Sequence, residues 1–299
     1  MERSSRKSIG ILRGGEKAGY SDSIASGSHL LSILHDHPEY KPLDVFIDKA
    51  GVWHLRGVPT DPLDILDAAD LVWSTLRGGE AENGELQKAL KRRNIPHIGS
   101  HAVPSALSLN KELSKDLFRS KGLRTPKHAA ISKKDLTGDN LLFIFRNYMH
   151  PMIVKPVEGT GSYGLSIART FDELRSSVET LLQEFDRVLV EEYIKGRSVS
   201  CGVVEDARGQ KLYALIPEPM QADPEMNKRI TEAAKLAHEL LGLRHYSESD
   251  FIITPRGSIY ILETDAVPKI GRDSSFVRSL DATGWKPADF AEHIIRLSL

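Results

Sequence analysis

The sequence predicts a mixed α/β and α+β architecture, in which an N-terminal parallel sheet is followed by two smaller α+β units. Two observations predict it. Up to residue 103, short apolar runs alternate with segments of helical spacing, a pattern typical of parallel strands joined by helices. Beyond that point, apolar runs come in pairs that flank turns, as in antiparallel sheets. The predicted domains span residues 1–103, 104–195 and 196–299.

Composition indicates a globular protein and excludes several classes of partner. The 299 residues include 40 basic and 41 acidic side chains, a balance that favours neither nucleic acid nor an anionic membrane surface. No apolar run approaches the roughly 18 residues of a membrane span. The single cysteine, Cys201, excludes an intramolecular disulfide and suits a reducing compartment. We therefore expect a cytoplasmic protein.

The N-terminal unit is predicted to alternate strands and helices. In chain order its segments are a strand with a double-glycine turn (8–15), a helix (21–40), a strand (43–51), a helix end with a strand (66–79), and a helix with a short strand (83–100).

The remaining segments form the two α+β units. They are one helix (104–123), a strand after residue 124, a strand–loop–strand segment (151–168), a helix (171–185), two strands with a turn at Gly196 (187–206), a long helix (224–243), a hairpin turned at residues 255–257 (246–268), and a final helix (289–299).

A glycine-rich loop follows the apolar run that ends at Lys155. Glycine lets backbone N–H groups crowd around an anion. The lysine precedes the glycines, unlike in a Walker loop, and a β-leaning segment follows them, unlike in a dinucleotide fingerprint. The order strand, loop, strand favours a flap over phosphates, and a plain surface hairpin is the alternative. The loop residues are Gly159, Thr160, Gly161, Ser162 and Gly164.

Three acidic residues mark the predicted C-terminal hairpin. Glu263 and Asp265 are two apart on one strand and therefore share a face, and the turn brings Asp250 beside them. Converging carboxylates repel one another unless a cation lies between them. Hard oxygen ligands suit Mg²⁺, so the hairpin predicts a metal site. A solvated acidic sheet face is the alternative.

These features together are the parts that hold ATP. Lys111 and Lys155 each lie at the end of a predicted element, and the glycine flap and the acidic hairpin follow. Backbone groups at the end of the strand near Glu191 could pair with the edge of an adenine. Lysines, a glycine flap and Mg²⁺ ligands can bind ATP and neutralise its γ-phosphate during transfer.

The order of these motifs resembles that of the ATP-grasp enzymes, and among them the D-alanine–D-alanine ligases. Matching segments run through nearly the whole chain, including "RGGEAENGELQ", "MIVKPVEGTGSYGLS", "VLVEEYIKG" and "SDFIITPRGSIYILETDAVP". The resemblance implies an ATP-grasp fold behind an N-terminal substrate domain. It also implies that two Mg²⁺ ions, with Mn²⁺ as an alternative, bind to Asp250, Glu263 and Asp265. The implied ATP site consists of two lysines, the glycine loop and the hinge, namely Lys111, Lys155, Gly159, Thr160, Gly161, Ser162, Gly164, Glu191, Glu192, Tyr193 and Ile194.

The sequence departs from this family at the amino-acid site. Gly19 replaces a glutamate that helps to hold the first substrate's ammonium group, while Ser23 is kept. Arg77 replaces a histidine, and Gly161 replaces the first serine of the glycine loop.

Two further departures concern the reacting groups. A lid of about two dozen residues, which the family carries between Pro219 and Gln221, is missing. Glu248 replaces the arginine that stabilises the oxyanion in the family. Lys269 or Arg272 is our candidate for the missing positive charge, and with Ser23 they form the predicted catalytic set. Ser274 matches a serine that binds the second substrate's carboxylate.

Three functions follow from the resemblance. The first is a divergent D-alanine–D-alanine ligase that makes a cell-wall precursor. The second is a ligase for other carboxylates and amines, favoured by the changed substrate groups. The third is a degenerate ATP-binding protein with little activity, favoured by the short lid and the lost arginine. The expected partners are amino acids, without nucleic acid or membrane, and the family suggests a homodimer.

Overall fold

The computed structural model describes residues 6–15, 19–79, 82–159, 161 and 163–299. Over these residues the chain forms three β-sheets of six, four and four strands. Two residues of the predicted glycine loop, Thr160 and Ser162, lie outside the described part.

The first sheet confirms the predicted N-terminal parallel sheet. Its order is β4-β3-β2-β1-β5-β6, and β1 pairs in parallel with β2 and β5, as β5 does with β6. Antiparallel strands β3 and β4 extend its edge and were not predicted. The elements are β1 Lys7–Gly14, α1 Tyr20–Leu34, β2 Tyr40–Ile47, β3 Trp53–Leu55, β4 Val58–Pro59, α2 Pro62–Asp67, β5 Leu71–Ser74, α3 Glu85–Arg92 and β6 His97–Ile98.

The single helix predicted over 104–123 is wrong, because two helices stand there. These are α4 (Ala102–Leu109) and α5 (Lys111–Ser120). Asn110 between them has an extended backbone, and its side chain accepts a hydrogen bond from the Leu113 N–H at 3.0 Å. An asparagine that caps a helix N-terminus in this way starts a new helix. The break makes Lys111 the first residue of α5.

The second sheet is antiparallel and has the order β7-β10-β8-β9. Strands β8 and β9 flank the glycine loop, which confirms the predicted strand–loop–strand segment. Helix α6 was not predicted. The elements are β7 His128–Ser132, α6 Gly138–Asn147, β8 Met152–Pro156, β9 Ser166–Ala168, α7 Phe171–Glu184 and β10 Arg187–Glu192.

The third sheet is also antiparallel, with the order β12-β11-β13-β14. The pair β13–β14 confirms the predicted acidic hairpin. Strand β12 and helix α9 were not predicted. The elements are β11 Arg197–Ala207, β12 Gln210–Ala214, α8 Pro224–Leu241, β13 Tyr246–Ile253, β14 Ile259–Asp265, α9 Ser275–Ala282 and α10 Pro287–Ser298.

The first and third sheets share a core, which fixes the N-terminal unit against the acidic hairpin. The Trp73 indole N–H of β5 donates to the Tyr246 hydroxyl of β13 at 2.8 Å, and both rings pack against Phe290. On its other face, the third sheet packs on α8 and on Phe118 of α5. The domain bounds stay a prediction. None of the helices in the described ranges is long and apolar enough to span a membrane.

Candidate active site

A buried glutamate between two lysines connects α5 to the second sheet. Glu191 of β10 has its two carboxylate oxygens 2.6 Å from Lys155 Nζ of β8 and 3.1 Å from Lys115 Nζ of α5. Burial alone would raise the pKa of Glu191, but the two ammonium groups outweigh it and lower the pKa to about 2. Burial lowers the pKa of Lys115 to about 8. For Lys155, burial is outweighed by Glu191 and Glu263, so its pKa is raised.

Sequence reasoning did not find Lys115, although a signal was present. Lys115 follows Lys111 by four residues on one helix, so the two side chains lie on the same face. Lys115 is fully buried and also donates to Thr125 Oγ1 at 3.2 Å. A buried lysine needs a paired acid.

Lys111 connects the glycine loop with the acidic hairpin. Its Nζ donates to the Gly159 carbonyl at 2.5 Å and lies 3.5 Å from Glu263 Oε2. Its backbone N–H donates to the Val157 carbonyl at 3.0 Å, which fastens the start of α5 to the end of β8. The structure therefore brings together Lys111, Gly159 and Glu263, as a shared phosphate site requires.

Two further glycines of the loop and three hinge residues have the following local geometry. Gly164 has a left-handed backbone with φ of 73°, and a Cβ there would lie 3.0 Å from Leu181 and 3.1 Å from Pro156. Gly161, with φ of 64°, is exposed. In the hinge, the Glu192 carboxylate accepts from the Met149 N–H, the Tyr193 N–H donates to the Pro151 carbonyl, and Ile194 is half-buried.

The acidic hairpin places carboxylates opposite one another. Asp250 pairs with Glu263 across β13 and β14, and the Ser200 hydroxyl donates to Asp250 Oδ1 at 2.6 Å. Burial and the neighbouring carboxylates of Glu263 and Asp265 raise the pKa of Asp250 to about 7. For Glu263, burial is outweighed by Lys111 and the other lysines, so its pKa is lowered. Burial, with Asp250 nearby, raises the pKa of Glu248 to about 8.

A buried arginine holds the third carboxylate of the hairpin. Arg77 is 4% exposed, and its Nη2 donates to Asp265 Oδ2 at 2.7 Å, while its Nη1 donates to the Val267 carbonyl. Gly19 packs directly against it, because a Cβ at Gly19 would lie 2.6 Å from Arg77 Cβ. The sequence identified Arg77 only as a departure from the family.

Glu82 is a second buried acid that sequence reasoning left out of the site. Its carboxylate accepts from the Gly78 N–H at 2.5 Å, and burial raises its pKa to about 7 although Arg77 lowers it. Glu82 lines a narrow cavity together with Lys111, Gly159, Glu263 and Asp265. The signal was its place in the segment "RGGEAENGELQ", which the resemblance had already marked.

The predicted catalytic and substrate residues do not line this cavity and do not join one cluster, and their roles stay predictions. Lys269 Nζ forms an ion pair with Asp22 at 2.9 Å, and its side chain is 42% exposed. Arg272 donates to Ser32 Oγ at 3.1 Å near the surface. The other two are Ser23, which is buried and accepts from the Gly14 N–H, and Ser274, which caps α9 by accepting from the Val277 N–H.

The acidic hairpin fits a hard cation, although not as a closed cage. Among the residues that the structure describes, no three side chains of the His, Cys, Asp and Glu types converge closely enough to enclose a metal ion. Mg²⁺ in nucleotide sites is usually held by one or two carboxylates, with waters and phosphate oxygens as the other ligands. Asp250 and Glu263, facing each other on adjacent strands, fit that description.

The connection that should carry the lid is short. Strand β12 ends at Ala214 and α8 begins at Pro224. Within this segment, Glu218 exchanges two backbone hydrogen bonds of 2.8 Å with Ser200, and its carboxylate accepts from Arg278 Nε at 2.8 Å. The short segment therefore lies next to the serine that holds Asp250.

The fold and the site define the class of the protein. Two antiparallel α+β units face each other across buried lysines and carboxylates, behind a parallel-sheet domain, and this is the ATP-grasp architecture. The family model "D-ala D-ala ligase C-terminus" matches residues 117–216 and 213–296. The chain belongs to the D-alanine–D-alanine ligase family.

Individual relatives agree with this assignment. The chain is 30% identical over 254 residues to the D-alanine–D-alanine ligase of Maridesulfovibrio salexigens, covering 78% of this chain and 82% of that protein. It is 28% identical to the Geobacter sulfurreducens D-alanine–D-alanine ligase, and the match covers 87% of this chain and 84% of that protein. The solved structure of the Bacillus anthracis D-alanine–D-alanine ligase complexed with ATP superposes with a TM-score of 0.79 at 25% identity. The superposition covers 98% of this chain and 96% of that one. The VanG D-Ala:D-Ser ligase of Enterococcus faecalis, at 22% identity, shares the fold with a TM-score of 0.87. The superposition covers 99% of this chain and 100% of that one.

Proposed function

We propose that the protein is an ATP-dependent ligase that joins a carboxylate to an amine through an acyl phosphate, with D-alanine as both substrates. One observation carries the proposal: Lys111 spans the cleft from Gly159 of the glycine loop to Glu263 of the acidic hairpin. A single ammonium group that reaches both elements is placed to bind a polyphosphate between them.

The chemistry requires no nucleophilic side chain. The carboxylate of the first substrate attacks the γ-phosphoryl group, which gives an acyl phosphate and ADP. The deprotonated amine of the second substrate attacks the acyl carbon, and loss of phosphate, which carries away the proton from nitrogen, leaves the amide. Lys111 and Lys155 bind phosphate oxygens in this scheme, so positioning and fixed charge supply most of the rate.

Magnesium is part of the proposal. Asp250 and Glu263 would hold it, supported by their facing positions and by the Ser200 hydroxyl that orients Asp250. Bound there, the ion would neutralise charge on the transferred phosphoryl group. The hinge residues Glu192, Tyr193 and Ile194 stay our candidates for the adenine site.

Amino-acid-stimulated phosphate release tests the proposal directly. We expect D-alanine with Mg²⁺ and ATP to release phosphate, and mass spectrometry to find the D-alanyl dipeptide in equal amount. Lys111→Ala should abolish this release, and Lys235→Ala, which removes a half-buried lysine of α8 paired with Glu232, serves as the matched control. Tight ATP binding without release by any amino acid would contradict ligase activity and indicate a degenerate ATP-binding protein.

A ligase for a different first substrate is the second candidate, and one contact favours it. The family's glutamate for the substrate ammonium has no room at residue 19, because a Cβ there would collide with Arg77. Glycine at residue 19 offers no carboxylate to an α-ammonium group, which favours acids that lack one. The same assay should therefore include 2-hydroxy acids and dicarboxylic acids. Phosphate release with these acids, and none with D-alanine, would identify them as the first substrate in place of D-alanine.

The cellular setting completes the proposal. We place the reaction in the cytoplasm, in the synthesis of a peptidoglycan precursor, with a homodimer as the working form. Support comes from the lone, buried Cys201, which suits a reducing compartment, and from the family. Light scattering of the purified protein tests the dimer, and complementation of a ligase-deficient bacterium tests the pathway.

A further inference from the structure

We propose that the Arg77 guanidinium is the resident cation of Asp265, so that the cleft binds one divalent ion, on Asp250 and Glu263, instead of two. The inference rests on the proposed binding of ATP. The resemblance implies two ions on three carboxylates. In this chain, one of those carboxylates already has a permanent positive partner.

The contacts of Arg77 make it a fixed group. Its two Nη atoms have different acceptors, the carboxylate of Asp265 at 2.7 Å and the carbonyl of Val267 two residues further along. The two acceptors lie at the last residue of β14 and two residues beyond it, so the guanidinium is fixed to the hairpin. Its stem is packed against Gly19, which has no side chain to move aside.

Burial makes the pair hard to replace with a hydrated ion. The Arg77 side chain is 3% exposed and that of Asp265 is 27% exposed. An arginine guanidinium keeps its charge at any working pH. Mg²⁺ gives up its waters reluctantly and demands near-octahedral geometry, whereas the planar guanidinium matches a carboxylate without rearrangement.

The two remaining carboxylates are arranged for a single ion. Asp250 and Glu263 face each other across β13 and β14, and Ser200 orients the first. Lys111 Nζ is 3.5 Å from Glu263 Oε2, which leaves that carboxylate only partly neutralised. One divalent ion between Asp250 and Glu263 would offset the repulsion between these two carboxylates, and Arg77 already pairs with the third.

A fixed guanidinium also suits the reaction. Its charge needs no metal loading and no reorganisation when negative charge develops, and its donors point in set directions. Arg77 thus acts through Asp265 as a positioning residue at the end of the metal hairpin.

Counting bound ions tests this inference. Mn²⁺ and the non-hydrolysable β,γ-imido analogue of ATP would be equilibrated with the full-length protein by dialysis, and bound Mn²⁺ per bound nucleotide measured by EPR. We expect one ion in the wild-type protein and in Arg77→Lys, which keeps a positive charge. We expect two ions in Arg77→Gln, which removes the charge but keeps polar donors.

The outcomes separate this inference from the proposed function. Two ions in the wild-type protein would overturn the inference and leave ATP binding intact. One ion in a folded Arg77→Gln would overturn it as well. If Arg77→Gln fails to fold, the wild-type count decides alone. Failure of the wild-type protein to bind the nucleotide would contradict the proposed function, and the inference with it.

Discussion

The carboxylate of Glu191 lies 2.6 Å from the ammonium group of Lys155, with both side chains almost entirely buried. Lys115 approaches the other oxygen of the same carboxylate. Glu191 thus pairs with two ammonium groups in a low-dielectric site, and the Glu263 carboxylate also acts on both. Loss of Glu191 would take the nearest carboxylate from both lysines, so the cluster is sensitive to loss of this acid.

Removing the acid should destabilise the protein. Glu191→Gln keeps the shape but removes the carboxylate that pairs with two buried ammonium groups. Breaking a buried ion pair in this way costs about 3–5 kcal/mol. Urea denaturation at pH 7 measures the difference. Glu85→Gln, which removes an exposed ion pair with Lys88, is the control and should leave the unfolding free energy almost unchanged.

The pH dependence of the same cluster has a defined sign. The folded pKa of Glu191, about 2, lies below its ordinary value of 4.5, so the unfolded chain binds the proton more readily. The stabilising contribution of Glu191 is fully present above pH 4.5 and is lost as pH falls toward 2. The stability difference between wild type and Glu191→Gln should therefore shrink over that window. A constant difference from pH 7 to pH 3 would contradict the assignment.

Lys111 should contribute to nucleotide affinity without a large effect on folding. It is the first residue of α5, and its ammonium group contacts Gly159 of the loop and Glu263 of the hairpin. Loss of a charge-assisted hydrogen bond costs about 1.5–3 kcal/mol, which corresponds to a roughly 10- to 150-fold weaker Kd for Mg-ATP in Lys111→Ala. Calorimetric titration measures it, with Lys235→Ala as control. An unchanged Kd would exclude Lys111 from the phosphate site.

Much of this fold follows from local patterns. The alternation of strand and helix patterns predicted the parallel sheet. The two-residue spacing of Glu263 and Asp265, with a turn between them and Asp250, predicted the acidic hairpin. The break at Asn110 was missed because α4 and α5 together read as one amphipathic segment. The break depends on the hydrogen bond from the Leu113 N–H to the Asn110 side chain. Asparagine side chains within helical patterns can form such local bonds at many positions, so the sequence does not show which of them interrupts a helix.

The active site was less predictable, for physical reasons. Lys115 and Arg77 are long charged residues, which usually lie at the surface, and only tertiary packing reveals that each is buried beside an acid. Their partners, Glu191 and Asp265, are distant in sequence, so no local pattern could pair them. The resemblance marked residue 77 as different but could not show what its side chain binds.

Gly19 should tolerate no side chain. Its φ of 80° lies in the left-handed region, and a Cβ would also lie 2.6 Å from Arg77 Cβ. Gly51 has the same φ of 80° with no heavy atom within 4 Å of its would-be Cβ, so Gly51→Ala isolates the backbone cost of about 1–2 kcal/mol. Gly19→Ala should cost about 1–3 kcal/mol more because of the collision. Equal unfolding free energies for the two variants would contradict the contact.

Lys269 is the residue that we predict to carry positive charge to the reacting carboxyl group. Its ion pair with Asp22 is partly exposed, so Lys269→Met should cost no more than about 1 kcal/mol of stability. Loss of a charge that stabilises the transition state should lower kcat about 100-fold. Steady-state kinetics with D-alanine measures it, and Lys286→Met at the start of α10 is the control. Unchanged turnover would remove Lys269 from the catalytic set.

His245 should make the protein sensitive to acid where the first and third sheets meet. Its Nδ1 accepts from the Gly99 N–H at 2.9 Å, and its backbone N–H donates to Glu205. Burial, with the Arg244 charge nearby, lowers the pKa of His245 to about 3, against 6.5 in the unfolded chain. The charged and titratable groups around it are Arg244, Glu205, His97 and His101.

The sign of this effect distinguishes it from general acid denaturation. Between pH 6.5 and 3 the unfolded chain binds a proton that folded His245 does not, so this imidazole lowers wild-type stability as pH falls. His245→Asn keeps a residue that tolerates its φ of 70° but removes the titration. At pH 7 the variant should lose about 1–3 kcal/mol, because the buried Gly99 N–H loses its acceptor. Toward pH 4 the stability curves should converge, and parallel curves in urea titrations would exclude His245 as the source of the acid sensitivity.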